Sequence, residues 1–202
     1  MPMRRQIVSL QVGQPQPLQI EGRTVMSAIG KQPVGSQDQP VRVPVGAMGL
    51  NGNDQVDTSV HGGLAKAVYA YPQAHYGFWQ TVRAQAGVSA WDAPLPFGLP
   101  GENLTLSGVV EADVWVGDVL QFPDCTLAVS EPRKPCFKFA HVMGFAQAVK
   151  LMAQSGYCGF YLSVRTPGTL AAGDAFEIIP GPREVNIREL FLTKMKSKAY
   201  RD

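Results

Sequence analysis

The chain of 202 residues is 45% hydrophobic and 17% charged, a size and composition typical of one globular domain with its own core. Its formal net charge is only +2 and its basic residues are scattered, which argues against a surface for nucleic acid. Because no apolar run reaches the ~20 residues of a membrane span and no signal peptide is visible, we expect a soluble, cytoplasmic protein without a membrane partner.

Predicted strands alternate with frequent turns along the chain, which contains 21 Gly and 16 Pro. The segments between the turns are short and rich in Val, Leu, Ile, Tyr and Phe, a pattern typical of a mainly β barrel or sandwich. Loops are expected at residues 13–19 and 91–101, where Pro and Gly are dense. The predicted strands span residues 6–12, 23–28, 41–43, 67–70, 103–106, 119–122, 126–130, 159–164 and 175–179.

Helices are predicted in three places from start and stop signals. Pro72 suits a first helical position, and Gly156 suits a left-handed residue that ends a helix. Asn186 can cap a third helix that has Glu189 at its third position. The first two helices are expected to span residues 72–87 and 144–155, and the chain from residue 194 onward is expected to fray.

The most informative segment is the loop at residues 130–138, which holds one cysteine together with two prolines, which stiffen it, and three cations. Arg133, Lys134 and Lys138 surround Cys136 with positive charge, and nearby cations favour the thiolate, the form that attacks electrophiles or binds metal. Cys136 is therefore a candidate reactive or ligating sulfur. The alternative is that it packs as a small apolar side chain.

The other two cysteines carry no such signal. Cys125 lies in a Pro-Asp turn and Cys158 precedes a predicted strand, and neither has cationic neighbours in the sequence. With three cysteines and no CxxC pair, the chain shows no disulfide framework and fits a reducing compartment. We expect both residues to pack in the core.

A second candidate segment is the turn His61-Gly62-Gly63. Paired glycines let the backbone approach a ligand and point amide hydrogens at an anion, while a histidine beside them can relay a proton. The alternative is a plain tight turn. His75 and His141 lie in or beside helical stretches and are expected at the surface or as caps.

Glu102 and Asn103 form a third candidate, because they stand between a glycine turn and a predicted strand. A carboxylate and an amide at this point can bind the polar edge of a heterocycle. The alternative is that both only satisfy backbone groups of the turn.

Taken together and in order, these segments resemble a MOSC domain, and among MOSC domains the YiiM-like group. The resemblance covers roughly residues 26–187. It rests on His-Gly-Gly at 61–63, Gly-Glu-Asn-Leu at 101–104, Val-Gly-Asp at 116–118, Glu-Pro-Arg-Lys-Pro-Cys at 131–136, and Gly-Phe-Tyr-Leu at 159–162 with the later Pro-Gly and Ala-Gly-Asp.

The resemblance implies a MOSC-type, pyruvate-kinase-insert-like β-barrel with a few flanking helices, formed by residues 1–187 and followed by a C-terminal helix or tail at 188–202. It also implies a pocket for the molybdopterin form of the molybdenum cofactor. By this analogy Cys136 binds molybdenum and is catalytic together with His61. The cofactor would be bound by Arg133 and Lys138 at its phosphate and by Gly62, Gly63, Glu102 and Asn103 elsewhere in the pocket.

The implied chemistry is the two-electron reduction of N-hydroxylated compounds, such as hydroxylaminopurines and amidoximes, to amines. Since the sequence shows neither a flavin fingerprint nor a cysteine cluster, the electrons would come from a separate reductase. A monomer or homodimer is expected. Two alternatives stay open: a non-catalytic carrier of the cofactor or of a persulfide sulfur, and a metal-free thiol enzyme that uses Cys136 with His61 as its base.

The sequence departs from the family pattern at three points. Asn53 stands where many MOSC proteins have Asp, which weakens a role for a carboxylate there in proton transfer. Ser163 replaces a frequent Arg, whose anion contact would be lost or supplied by Arg165. The chain also ends soon after the predicted barrel, where YiiM-like proteins often continue into a larger helical tail.

Overall fold

The computed structural model describes residues 4–56 and 62–199, which form thirteen strands and four α-helices. The strands are β1 (Gln6–Val12), β2 (Gln16–Ile20), β3 (Arg23–Ser27), β4 (Gln32–Pro33), β5 (Val43–Gly46), β6 (Gly49–Leu50), β7 (Val68–Pro72), β8 (Leu104–Ser107), β9 (Val119–Gln121), β10 (Thr126–Pro132), β11 (Phe160–Thr166), β12 (Gly168–Leu170) and β13 (Glu177–Ile179). The helices are α1 (Tyr76–Gln85), α2 (Phe137–Met143), α3 (Ala148–Ser155) and α4 (Ile187–Ala199). The prediction of a mainly β fold is confirmed.

The main sheet has eight strands in the order β13-β9-β10-β11-β7-β8-β1-β4. Its neighbours are antiparallel except for β7 and β8, which run parallel and are joined by the crossover at residues 73–103. Every residue of β7 is buried, which indicates that both faces of this strand are covered. Because it contains one parallel pair among antiparallel pairs, the sheet is mixed.

The two ends of the sheet approach each other without forming a continuous ladder. Ile7 donates a backbone hydrogen bond to Asp174, and Phe176 donates one to Arg5, so the segment before β13 lies beside β1 over a short stretch. In the described residues, the first and last strands of the sheet, β13 and β4, do not pair with each other, so the sheet is open. The predicted closed barrel is therefore not confirmed.

A hairpin of β2 and β3 lies apart from the main sheet and corrects the loop predicted at residues 13–19. Its turn uses Glu21 and Gly22, both with positive φ (51° and 74°), the combination that suits the right-handed twist of a two-residue hairpin. Pro17 is tolerated because the hairpin has only two strands and therefore no interior position. The sequence analysis assigned β2 to a loop because residues 13–19 are rich in Pro and Gly.

The first helix begins later than predicted. Pro72 ends β7 in an extended conformation, with φ −66° and ψ 126°, and a 3₁₀ turn at Gln73–His75 separates it from α1. Proline fixes φ near this value in strands and helices alike, so the residue alone does not distinguish the end of a strand from the start of a helix. The predicted start at Pro72 is therefore wrong.

The helix predicted at residues 144–155 begins four residues later than expected, as α3, and a separate helix, α2, ends just before the predicted range. Gly144 has φ 83° and donates its N–H to the carbonyl groups of Ala140 and His141, which ends α2 in a left-handed residue. The chain then enters α3, and Gly156 ends it with φ 75°, as predicted. The sequence analysis missed α2 because the seven-residue helix directly follows the proline-rich loop.

At the end of the chain, the Asn186 side-chain oxygen accepts a hydrogen bond from the Glu189 N–H at 2.8 Å, which confirms the predicted cap of α4. Ile187 and Phe191 are fully buried and pack one face of this helix against the core. The helix continues to Ala199, so the prediction of a frayed chain from residue 194 onward is wrong for residues 194–199. Residues 200–202 lie outside the described residues.

The core is one contiguous cluster that joins the sheet to the helices. Full burial of each large apolar side chain is worth about 1.5–3 kcal/mol. Cys125 and Cys158 belong to this cluster, as predicted. Its largest fully buried members include Trp79 from α1, Tyr71 from β7, Phe139 from α2, Phe160 from β11 and Phe191 from α4.

In the part of the chain that the structure describes, none of the helices combines the length and the apolar character needed to traverse a lipid bilayer.

The close packing of backbones near the sheet centre can be tested at Gly159, which lies just before β11. A Cβ at this position would lie 2.5 Å from the Ala70 carbonyl oxygen and 2.8 Å from the rings of Tyr69 and Tyr71. We expect Gly159→Ala to cost about 2 kcal/mol more than Gly87→Ala, because Gly87 has a similar positive φ but open space around it. Urea unfolding of both variants measures this difference, and equal losses at the two positions would contradict it.

Candidate functional site

A pocket opens where the segment after β10 meets β7, the start of β8 and the loops at 27–31 and 53–56. The side chains that give it chemical character include Lys31, Asn53, Asn103, Arg133 and Cys136. These residues lie far apart in the chain, so the pocket is a product of the tertiary fold.

Cys136 is placed in the pocket by the proline-rich segment that follows β10. Its backbone is extended, with φ −139° and ψ 170°, and it is the residue directly before α2. Its side chain is half-buried and lines the pocket, whereas Cys125 and Cys158 are buried elsewhere. Of the three cysteines, Cys136 is the one whose sulfur a pocket ligand can reach.

Arg133 is buried beside this thiol, with 4% of its surface exposed. Its Nη1 donates a hydrogen bond to the Pro100 carbonyl at 2.8 Å, and its guanidinium carbon lies 4.9 Å from the Tyr69 ring centre and 5.2 Å from that of Phe139. Among the described residues, no carboxylate lies within 4.0 Å of the guanidinium. Cation–π contacts stabilise this buried charge, but they do not neutralise it.

The surroundings of Arg133 keep it charged. Burial by itself lowers the pKa of the guanidinium, but interactions with Tyr69, Tyr161 and the Cys136 sulfur outweigh burial and raise the pKa above its usual value. Burial in turn raises the pKa of Tyr69 and of Tyr161, so both phenols keep their protons. The pocket therefore contains a permanent cation beside two neutral phenols.

Lys31 is the pocket residue that sequence reasoning missed. It is 8% exposed, lines the pocket and donates a hydrogen bond from Nζ to the Asn53 side-chain oxygen at 2.5 Å. Burial lowers the pKa of Lys31 from 10.5 to about 8, with smaller effects from Glu102, which raises it, and Arg133, which lowers it. A single lysine after Gly30 belongs to no motif, so the sequence offered no signal for it.

Asn53 connects the parts of the pocket through one oxygen atom. Besides the Lys31 ammonium, its Oδ1 accepts hydrogen bonds from the Asn103 amide at 2.9 Å and from the Gly13 N–H at 3.1 Å. The next residue, Asp54, donates its N–H back to the Gly13 carbonyl at 2.9 Å. The Asn53 amide thus gives Lys31 an acceptor without a negative charge.

Asn103 lines the pocket and also fastens neighbouring strands. Its side-chain oxygen accepts the Tyr69 N–H at 3.1 Å, and its amide nitrogen donates to the Gln11 carbonyl at 3.2 Å. The side chain thus bridges the strands that carry Tyr69 and Gln11. Any role of this side chain in binding therefore comes with a role in the fold.

Glu102 lies beneath the pocket and is fully buried. Its Oε1 accepts hydrogen bonds from the Tyr76 hydroxyl, from Thr105 at 2.9 Å and from the Gly98 N–H at 3.0 Å. The other oxygen, Oε2, is buried without a hydrogen-bond partner in the described part of the protein. Burial and the nearby Glu102 carboxylate raise the pKa of Tyr76, so that phenol remains a donor. Glu102 therefore supports the loop at 98–101.

The glycine pair lies beside the pocket loop at 53–56. The Gly63 N–H donates to the Gln55 side-chain oxygen at 2.8 Å, and a Cβ on Gly62 would lie 2.5 Å from that same atom. The pair thus allows close packing against Gln55, which lines the pocket. His61 lies outside the described residues.

Two further candidates lie outside the pocket. Ser163 donates from its hydroxyl to the Ala128 carbonyl at 3.4 Å, so it binds the neighbouring strand β10. His75 is buried and lies 2.6 Å from Glu111, stacked on the ring of Tyr157, so a surface position is wrong; it does occupy the N-cap position of α1, but without a side-chain capping bond. The burial of His75 could not be predicted from the local sequence because its partner, Glu111, is 36 residues away in the chain.

The residues that line the pocket carry more positive than negative charge. The described lining residues include four cations, Lys31, Lys66, Arg133 and Lys138, and a single carboxylate, Asp54. Buried cations without adjacent carboxylates are costly unless a ligand supplies negative charge. A soft sulfur beside such cations fits an anionic group that carries a thiophilic metal.

Comparison with known proteins identifies the family of this chain. The model of the MOSC domain matches residues 57–177. The uncharacterized protein YflK of Bacillus subtilis (strain 168) is 35% identical over 176 residues, which are 87% of this chain and 74% of YflK. The chain therefore belongs to the MOSC domain family.

Two other relatives share a smaller part of their own length. Protein YiiM of Escherichia coli (strain K12) is 31% identical over 70% of this chain and 61% of YiiM. A protein of Gibberella moniliformis (strain M3125 / FGSC 7600) named Reductase is 32% identical over 80% of this chain, but the match takes up only 27% of that protein.

Solved structures show the same fold. The crystal structure of YiiM from Geobacillus stearothermophilus matches with a TM-score of 0.72 and 31% identity, over 96% of this chain and 85% of the other. YiiM from Escherichia coli matches with a TM-score of 0.66 and 22% identity, over 95% and 76%. MOSC domains are associated with binding of the molybdenum cofactor.

The lowered pKa of Lys31 predicts a pH-dependent stability. Between about pH 8 and about pH 10, the unfolded chain keeps a proton on Lys31 that the folded chain releases, so the free energy of unfolding rises with pH. Relative to Lys31→Met, the stability of the parent protein should rise by about 1 kcal/mol per pH unit in this window and stay constant below it. Urea titrations at several pH values measure the difference.

The matched control is Lys150→Met, which removes an exposed lysine from α3. The buried tyrosines and cysteines titrate alike in all three proteins and therefore cancel. If the difference in the free energy of unfolding between the parent and Lys31→Met does not change with pH, the buried position of this amine is contradicted.

The three cysteines should differ in reactivity. Burial raises the pKa of Cys125 to about 12 and also raises the pKa of Cys158, while Cys136 lines the pocket. In the folded, cofactor-free protein, iodoacetamide should alkylate Cys136 first, and all three only after unfolding in urea. Peptide mass spectrometry identifies the modified residue, and early labelling of Cys125 would contradict the structure.

Proposed function

We propose that this protein is a molybdenum cofactor-dependent reductase of N-hydroxylated compounds. The observation that supports the proposal most directly is that the half-buried Cys136 sulfur shares one pocket with Arg133, a buried cation that no carboxylate of the described residues approaches within 4.0 Å. Membership of the MOSC domain family supports the choice of cofactor.

In this proposal the residues divide the work of binding. Cys136 holds the metal through its thiolate, Arg133 and Lys138 meet the anionic part of the cofactor, and Asn103 offers an amide to its polar edge. His61, with Gly62 and Gly63, stays a proposal for the pocket edge. The bound group would supply a metal that changes its oxidation state by two units and so can pass two electrons to the substrate.

The chain's own side chains prepare the pocket for this chemistry. The rings of Tyr69 and Phe139 lie against the Arg133 guanidinium, and Tyr69 and Tyr161 line the pocket beside it, which limits water near the thiol and strengthens charge interactions there. Because both phenols are protonated, they add no negative charge that would repel an anionic cofactor. The pocket is thereby suited to an anion with a soft metal.

The electrons are proposed to come from a separate reductase. The Gibberella relative named Reductase gives some support, since the segment that matches this chain is 27% of that longer protein. We propose that this chain corresponds to the part that binds the cofactor and the substrate, as a monomer or homodimer in the cytoplasm.

A second candidate is a carrier in which Cys136 holds a persulfide sulfur or the cofactor is only stored. It is favoured by the accessibility of Cys136 in the pocket. The MOSC domain family includes molybdenum cofactor sulfurase-like enzymes. A carrier would gain the mass of one sulfur atom on Cys136 and would reduce no substrate.

The ligand role of Cys136 is tested by metal content. Protein from a host that makes the cofactor should contain about one molybdenum per chain, and Cys136→Ala should lose at least about nine tenths of it, because the thiolate is the protein's bond to the metal. Cys125→Ala is the matched control and should keep the metal. Unchanged molybdenum in Cys136→Ala would overturn the assignment.

The reaction is tested with 6-hydroxylaminopurine and a reduced viologen dye as the electron source. The amine should form in proportion to the molybdenum content, and the Cys136→Ala protein should form none above background. If the molybdenum-loaded parent protein forms no amine while Cys136 carries an extra sulfur, the carrier is the correct function.

A further inference from the structure

Lys31 is placed where a reacting group of the substrate can meet it. It lines the same pocket as Cys136, yet only 8% of its surface is exposed. Among the described residues, no carboxylate oxygen lies within 4.0 Å of its ammonium group. A structural lysine in the interior is ordinarily paired with a carboxylate, because an unpaired buried charge is costly.

The ammonium is held instead by a neutral acceptor. The Asn53 side-chain oxygen, 2.5 Å away, is fixed in turn by the amide of Asn103 and the N–H of Gly13. An ammonium group has three N–H bonds, and Asn53 occupies one of them. The amine is thus held in position while N–H bonds stay available to a ligand in the pocket.

We propose that Lys31 is the catalytic proton donor of the reduction, delivering a proton from Nζ to the hydroxyl oxygen of the N-hydroxylated substrate as the N–O bond breaks. This inference rests on the proposed function. In it Asn53 is a positioning residue that acts through Lys31.

The step balances as the conversion of a hydroxylamine into an amine and water. Two electrons come from the separate reductase, and the N–O bond takes them up as it breaks. The proton from Lys31 and the oxygen with its own hydrogen leave together as water, while a proton from solvent completes the amine nitrogen. Lys31 becomes a neutral amine and then recovers a proton from solvent at the pocket mouth.

The electrostatics of the pocket favour such a transfer. Burial lowers the pKa of Lys31 to about 8, so at neutral pH the amine is charged yet releases its proton more readily than an exposed lysine. Loss of the proton also removes the cost of the buried charge. Glu102 and Arg133 act on the amine with opposite sign, and the other titratable groups that line the pocket are Asp54, Lys66, Tyr69, Cys136, Lys138 and Tyr161.

The test compares the parent protein with Lys31→Met, Lys31→Arg and Asn53→Asp, each loaded with cofactor in the same host, and with Lys150→Met as the surface control. Molybdenum content is measured first, then amine formation from 6-hydroxylaminopurine between about pH 6 and about pH 10. Lys31→Met and Lys31→Arg should keep their molybdenum but lose about 100-fold in rate at pH 7, because Arg holds the charge but does not release a proton.

The pH profile gives a readout that a structural role would not change. The parent rate should fall above about pH 8, and this fall should be absent from the residual rate of Lys31→Met. Asn53→Asp places a carboxylate beside the ammonium, which raises the pKa of Lys31 and should move the fall upward by about one pH unit or more. In the cofactor-free proteins, acetic anhydride labelling of Lys31 against pH should show the same upward shift.

The outcomes separate this inference from the proposed function. A molybdenum-loaded parent protein that forms no amine overturns the proposed function itself. A parent protein that turns over while Lys31→Met turns over equally well overturns only the role of Lys31. Loss of molybdenum from Lys31→Met also overturns it, since the lysine would then anchor the cofactor.

Discussion

The pocket is organised by two cations that the protein buries without pairing them with carboxylates. Arg133 is accommodated by aromatic rings and the Pro100 carbonyl, and Lys31 by the amide of Asn53. Each of these acceptors is neutral, so the positive charge is oriented but not cancelled. The Cys136 sulfur lies in the field of these cations, and the lining of the pocket follows from keeping that field intact.

The same hydrogen bonds that hold the cations also hold the fold. Asn103 binds the backbone of two strands before it reaches Asn53, and Glu102 secures the loop that presents Pro100 to Arg133. The rigidity of the pocket therefore comes from the sheet, as is typical of sites in which geometry has to be fixed before a ligand binds. Changes at Asn103 will affect stability and binding together, whereas Lys31 and Cys136 can be altered more independently.

Much of the strand pattern was predictable because apolar residues between glycine and proline turns leave few alternatives, and β1 was predicted with its observed bounds. The proline-rich loop likewise marked Cys136 and Arg133, which the structure brings together in the pocket. Lys31 and the buried position of Glu102 could not be predicted, since both depend on residues distant in sequence. The strand β2 was missed because its proline is tolerated only in a two-stranded hairpin, which local sequence does not reveal.

The parallel pairing of β7 with β8 has a consequence for how the protein acquires its ligand. The crossover at 73–103 has to be completed before these strands can meet, and the pocket draws on residues from Ser27 to Tyr161, more than half of the chain. Contacts of such long range form late and slowly during folding. On the ribosome, the lining of the pocket is complete only after Tyr161 has emerged, so a ligand can enter the finished pocket only in a nearly complete domain.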